Sequence, residues 1–229
     1  MKTEKKIGWL LIAGAVGVLI PYTILTMSFE YPDILRQDIG IILTKFHDGG
    51  GPLVFTWWAF AILGLPLLVA YIKIGQLLEN RISFIRWATT LGVISGIVQI
   101  IGLLRWVFVV PVIAHSYTTS ADPVIKEIAK GNFQTIHQFG GVLLGEHLGQ
   151  LFTMAWTIMI SIAFIKLKLF PKWVGWIGII SSVIYLVAQA ELFATVIPGF
   201  PAWSMAGFIG STLWLIWLII TGIMFIRTK

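Results

Sequence analysis

The chain contains no cysteine. Disulfides, thiolate metal centres and cysteine nucleophiles are therefore excluded. Charge is also scarce. Asp, Glu, Lys and Arg make up 11% of the 229 residues, against about 25% in an ordinary soluble domain. No glycine-rich phosphate loop and no H-E-x-x-H metal signature occurs. No internal repeat relates the two halves, so an inverted-repeat architecture has no support in the sequence. Strand-period alternation is missing too, which leaves helices and not a barrel as the way to satisfy the backbone in lipid.

What the chain does have is apolar length. Hydrophobic residues make up 58% of it, and they recur in uncharged runs long enough to cross about 30 Å of hydrocarbon. The spans fall at about 7–29, 52–72, 87–115, 133–165, 173–197 and 203–226. The expected fold is an all-α membrane protein with six transmembrane helices in a single transmembrane domain, 1–229. The run Ile7–Phe29 is 23 residues long. That is longer than a secretory h-region of about 7–15 residues, and no small-residue cleavage motif follows, so it reads as a retained first span.

The net charge of +6 does not indicate nucleic-acid binding, because the basic residues flank the apolar runs. Lys2, Lys5, Lys6, Lys73, Arg81, Arg86, Lys166, Lys168, Lys172, Arg227 and Lys229 fall on one side, and Arg36, Lys45, Lys126 and Lys130 on the other. The partner is the lipid bilayer. The asymmetry predicts both termini in the cytoplasm and a bacterial or archaeal plasma membrane. Trp9, Trp87, Trp173 and Trp176 read as anchors at the inner interface, and Trp57, Trp58 and Trp203 at the outer one.

Two outer loops carry structure. In Tyr31–Asp48, Leu35, Ile39, Ile42 and Phe46 recur at helical spacing, which predicts an amphipathic helix on the outer surface. Gly49-Gly50-Gly51 would then allow a sharp turn into the second span. Asp122-Pro123 through Gly131 predicts a short helix with an N-cap, proline in its first turn and glycine past its end, after which Asn132 would cap the fourth span.

Arg105 is the one Lys or Arg within an apolar run, and a charge there is costly by about 2.5–3.5 kcal/mol or more, so it pairs or works. Counting from the basic ends gives its depth. Arg105 is nineteen residues from Arg86, Glu191 nineteen from Lys172, His147 nineteen from Lys166 and Glu146 twenty. These four form one expected tier, roughly 28–30 Å along the helices and in the outer leaflet. Gln150 shares a helix face with Glu146. His115 and His137 are each twenty-nine residues from their basic ends, which predicts a second tier about 15 Å farther out.

The favoured function is an accessory membrane subunit whose buried Arg/Glu/His site holds a small ligand or redox cofactor: a haem, a quinone or a lipid headgroup. A b-type haem could be ligated by His115 and His137. A metal-dependent membrane hydrolase would instead gather three or four ligands from His147, Glu146, Glu191, His115 and His137. A proton-coupled small-molecule transporter would use discontinuous helices. A structural bundle would need only an ion pair between Arg105 and Glu146 or Glu191.

The segment Tyr31-Pro32-Asp33-Ile34-Leu35-Arg36, just after the first span, resembles a family of bacterial six-span membrane proteins of unknown function. The resemblance implies an integral plasma-membrane protein and no assigned activity, so it assigns no functional residue.

Overall fold

A computed structural model describes residues 2–228; Lys229, one of the expected basic flanking residues, lies outside them. Among the described residues there are helices and no strands. The elements are α1 (Thr3–Phe29), α2 (Ile39–Ile62), α3 (Leu65–Leu78), α4 (Ile85–Phe108), α5 (Val110–Thr119) and α6 (Pro123–Ile136), then a π-helical segment (His137–Leu148), α7 (Gly149–Lys166), α8 (Lys172–Val187), α9 (Gln189–Ala194) and α10 (Met205–Arg227). Six segments are long and apolar enough to cross a membrane: Thr3–Phe29, Ile39–Leu78, Ile85–Thr119, Pro123–Lys166, Lys172–Ala194 and Met205–Arg227.

The chain divides into two compact units. Unit 1 comprises residues 1–15, 64–98 and 146–229, and unit 2 comprises 16–63 and 99–145.

Unit 1 is built on α8, which packs against both α7 and α10. Small residues permit the close approach that holds helices together where no hydrophobic force separates them from lipid. A Cβ on Gly222 of α10 would lie 2.8 Å from the Gly8 carbonyl oxygen of α1, so these backbones touch. Polar groups join the helices further. The Ser95 and Thr153 hydroxyls bond at 2.8 Å, the Trp214 indole N–H donates to the Thr157 hydroxyl at 2.9 Å, and that of Trp217 donates to the Val174 carbonyl at 2.9 Å. Met154 is buried as core filling, and Trp156 lies 4.0 Å from the Tyr71 ring centroid.

Unit 2 has an aromatic interior of Phe29, Phe46, Trp57, Trp106 and Phe133, with Ile34, Ile42 and Leu43 around it. The indoles of Trp57 and Trp106 stack at 4.7 Å with a 10° interplanar angle. The expected outer anchor at Trp57 is thus corrected: it is fully buried, while Trp58 is exposed like Trp9, Trp87, Trp173, Trp176 and Trp203. Adjacent helical positions point about 100° apart, so one of two neighbouring tryptophans faces inward.

The Tyr31–Asp48 helix is also corrected. A 3-10 turn occupies Asp33–Arg36 after a cis Tyr31-Pro32 bond. The helix proper starts at Ile39, where the Asp38 carboxylate accepts the Gly40 N–H at 2.8 Å. Its apolar face, Ile42, Leu43 and Phe46, is in the core of unit 2 and not spread on a surface. The helix then kinks at Gly50, with φ 55° and ψ −151°, a backbone region open essentially to glycine alone. The chain continues through Pro52 to Ile62.

The Asp122–Gly131 helix is capped as expected, with the Asp122 carboxylate accepting the Val124 N–H at 2.8 Å and Pro123 in the first turn. It does not end at Gly131, and Asn132 caps nothing: α6 runs on to Ile136. Burial of Ala129 and Phe133 outweighs the roughly 1 kcal/mol that an interior glycine costs. The third span breaks at Val109, and Pro111 sits in the first turn of α5, where its missing N–H costs no helical bond.

Candidate functional site

Arg105, in the last turn of α4, is 7% exposed and is the one charged side chain in the buried class among the described residues. Its guanidinium donates through Nη1 to the Gly102 carbonyl of its own helix and through Nη2 to His137 Nδ1 at 3.3 Å. Its Cζ also lies 5.2 Å from the Trp106 ring centroid.

Glycine makes room for this arginine. A Cβ on Gly141 would sit 2.7 Å from Arg105 Cζ, so the guanidinium lies flat against bare backbone. A Cβ on Gly102 would sit 2.7 Å from the Gly140 oxygen and 2.8 Å from Gly145 Cα, where α4 crosses the π-helical segment backbone to backbone. That segment, His137–Leu148, is twelve residues long. π-Helix is normally confined to single turns and is frequent at functional sites. Sequence reasoning missed it. The signal for it in the sequence is the density of Gly140, Gly141, Gly145 and Gly149.

The imidazole of His137 stacks on Phe133 at 5.4 Å and 13°, and meets the Trp106 ring edge-on at 6.4 Å and 73°. Arginine has donors and no acceptor, so Nδ1 accepts and the neutral ring carries its proton on Nε2. His137 therefore presents an N–H. In the same aromatic core, the Trp57 and Trp106 indole nitrogens are buried without a hydrogen-bond partner, each forfeiting about 1–3 kcal/mol in an apolar surround.

The Arg105–His137 contact corrects the expectation of two tiers about 15 Å apart. That count assumed a straight α-helix and ignored the reach of an arginine side chain. His115 is on α5 and exposed, with its ring centroid 5.9 Å from that of His47. His47 had not been singled out.

Glu146, His147, Gln150 and Glu191 belong to unit 1, and all four are half-buried. Two of them are brought together by a residue the sequence reading passed over. His147 Nδ1 lies 2.7 Å from Gln189 Oε1, and Gln189 Nε2 donates to Gln150 Oε1 at 2.8 Å. The amide oxygen can only accept, so His147 donates from Nδ1. Phe193 meets this ring edge-on at 6.0 Å. Glu191 lies in α9, two residues past Gln189. Among the described residues, no group of three or more His, Asp or Glu is gathered to hold a metal.

A family model described as a domain of unknown function, DUF4386, matches residues 7–222. The chain belongs to this family. Six membrane-length helices along the matched stretch agree with the resemblance carried by Tyr31–Arg36. No curated protein and no solved structure matches the chain. Family membership thus leaves the chemistry to be argued from the Arg105–His137 contact.

Proposed function

We propose that this membrane protein binds a lipid-soluble ligand with a planar, carbonyl-bearing head, a quinone, at the Arg105–His137 contact in unit 2. The observation that carries the reading is the tautomer lock: Arg105 donates to Nδ1, so His137 offers Nε2–H. A quinone oxygen accepts that N–H, and its ring enters the aromatic cluster of Phe133 and Trp106, which is closed in the free protein and parts to admit it. Accepting an indole N–H as well would recover about 1–3 kcal/mol, and ring stacking adds about 0.5–1.5 kcal/mol. The same lock disfavours His137 as a haem ligand, because axial ligation needs the Nε2 lone pair.

Organic extraction of the purified protein, together with equilibrium binding of decylubiquinone in nanodiscs, tests this. Wild type should retain about one quinone per chain, and Arg105→Met should bind it at least about tenfold more weakly, because the His137 tautomer that offers Nε2–H is no longer held. Equal binding by wild type and Arg105→Met would sink the reading. Tightly retained phospholipid with no quinone would move the acceptor to a headgroup oxygen.

The second reading is a proton-coupled transporter. Interruptions of the membrane-length segments support it: at Leu63-Gly64 between α2 and α3, at Val109, and at Ala188 between α8 and α9. Broken helices of this kind build transporter sites. Substrate-dependent proton uptake into liposomes is the expected signal, and its absence across a substrate panel counts against transport. We further propose a plasma-membrane location with the basic ends in the cytoplasm. The cysteine-free background makes this easy to read: a thiol at Ser83→Cys should label only after lysis, and one at Ala121→Cys in intact cells.

A further inference from the structure

We propose that His47 and His115 form a two-imidazole binding site for a borderline divalent transition-metal ion, zinc or copper, on the exposed side of unit 2. The reading is independent of the quinone proposal. His47 lies on α2 just before the Gly50 kink, and His115 lies on α5 after Pro111. Both side chains are exposed, and their ring centroids are 5.9 Å apart with a 42° interplanar angle.

The distance suits one ion between them. An imidazole nitrogen binds zinc at about 2.0–2.1 Å, which puts the ring centroid roughly 3.2 Å from the metal. Two such rings are about 5.2 Å apart at a tetrahedral angle and at most about 6.4 Å apart. The observed separation falls inside that window, so small side-chain rotations would bring both rings onto one ion. Imidazole suits zinc, copper and nickel, with copper bound most tightly. Because no third His, Asp or Glu joins a metal-binding group among the described residues, water or an exogenous ligand completes the coordination.

The two helices that carry these histidines pack against each other. Phe46, next to His47, also lies 5.4 Å from Trp106 in the aromatic core. An ion held by both rings would clip α2 onto α5 and hold this segment over Trp106.

Isothermal titration of zinc and of copper into the full chain, in detergent and with any affinity tag removed, tests the site. Wild type should bind one ion, and His47→Ala and His115→Ala should each weaken binding by at least about tenfold, with the double variant no worse than either single one. Metal should raise the unfolding midpoint of wild type and not of the variants. Acidification should release the ion, since a proton competes for the same lone pair. Both positions are exposed, so the variants keep the fold. Metal-free midpoints equal to wild type confirm that, and a lowered midpoint is met by repeating the titration with His47→Gln and His115→Gln. Undiminished affinity in either single variant, or wild-type binding no tighter than that of the double variant, overturns the proposal.

Discussion

The two units place polar groups inside apolar helices in different ways. In unit 1 the buried hydroxyls serve the helices: Thr153 donates to the Gly149 carbonyl, Thr157 to that of Thr153, and Ser182 to that of Gly178. Even His147 is held, through Gln189 and Gln150, by neutral amides. Unit 2 buries a cation, and that cation sets the tautomer of a histidine, while two indole N–H groups of the same core have no acceptor. Orphan donors alone do not separate the units, because the Trp156 indole and the Ser161 and Thr221 hydroxyls of unit 1 also have no partner. What separates them is the buried cation, since the unit 1 carboxylates Glu146 and Glu191 are only half-buried. Interhelical glue in membranes is worth about 0.6 kcal/mol per bond, and a buried arginine is far too costly for that purpose.

The comparison can be broken first at its glycines. Gly102→Val in unit 2 and Gly222→Val in unit 1 both force side-chain atoms into facing backbone. Each should destabilise by about 3 kcal/mol or more in denaturant unfolding, but only Gly102→Val should also abolish decylubiquinone binding. Comparable ligand loss in both would mean that binding reports general unfolding. Next, Arg105→Met should cost about 1.5–3 kcal/mol of stability together with the ligand, whereas Gln189→Leu should cost about 1–2 kcal/mol and leave binding unchanged. A ligand effect from Gln189→Leu would move the site to unit 1.

The indoles give a finer test. Trp106→Phe removes an orphan N–H, so the ligand-free protein should gain roughly 1 kcal/mol at most while ligand affinity falls. Trp156→Phe should bring a similar gain with no change in affinity, and a fall in affinity there would show that the buried charge does not set the units apart. The smallest effect belongs to Thr157→Val, about 0.6 kcal/mol. A larger loss would mean that the Trp214–Thr157 bond is more than packing glue.

The spans were legible because each holds an apolar run of membrane length with basic residues at one end, and Arg105 was legible as a lone cation within such a run. Its partner was not. Depth counting at a fixed rise per residue put His137 about 15 Å away, and neither the π-helical segment nor the arginine's reach can be read from residue counts. Gln189 is invisible to a charge criterion applied along the fifth span, because a neutral amide carries none. Trp57 and Trp58 are the same residue type side by side, and only tertiary packing decides which one is buried. Asp38 and the cap at Asp122 illustrate the converse: Asp122-Pro123 announced its helix, while the helix that follows Asp38 was expected to begin several residues earlier, at Tyr31.

The π-helical segment has a consequence for how this chain tolerates changes in length. Each π turn closes one residue later than an α turn, so His137–Leu148 carries surplus residues relative to an α-helix of equal span. A one-residue deletion here would let the segment tighten toward α geometry, with α6 and α7 absorbing the change as a rotation. The same deletion within α7 has no surplus to draw on and would swing every side chain beyond it to another face. The stretch that carries His137 is thus also the place where the fourth span can gain or lose a residue without being broken.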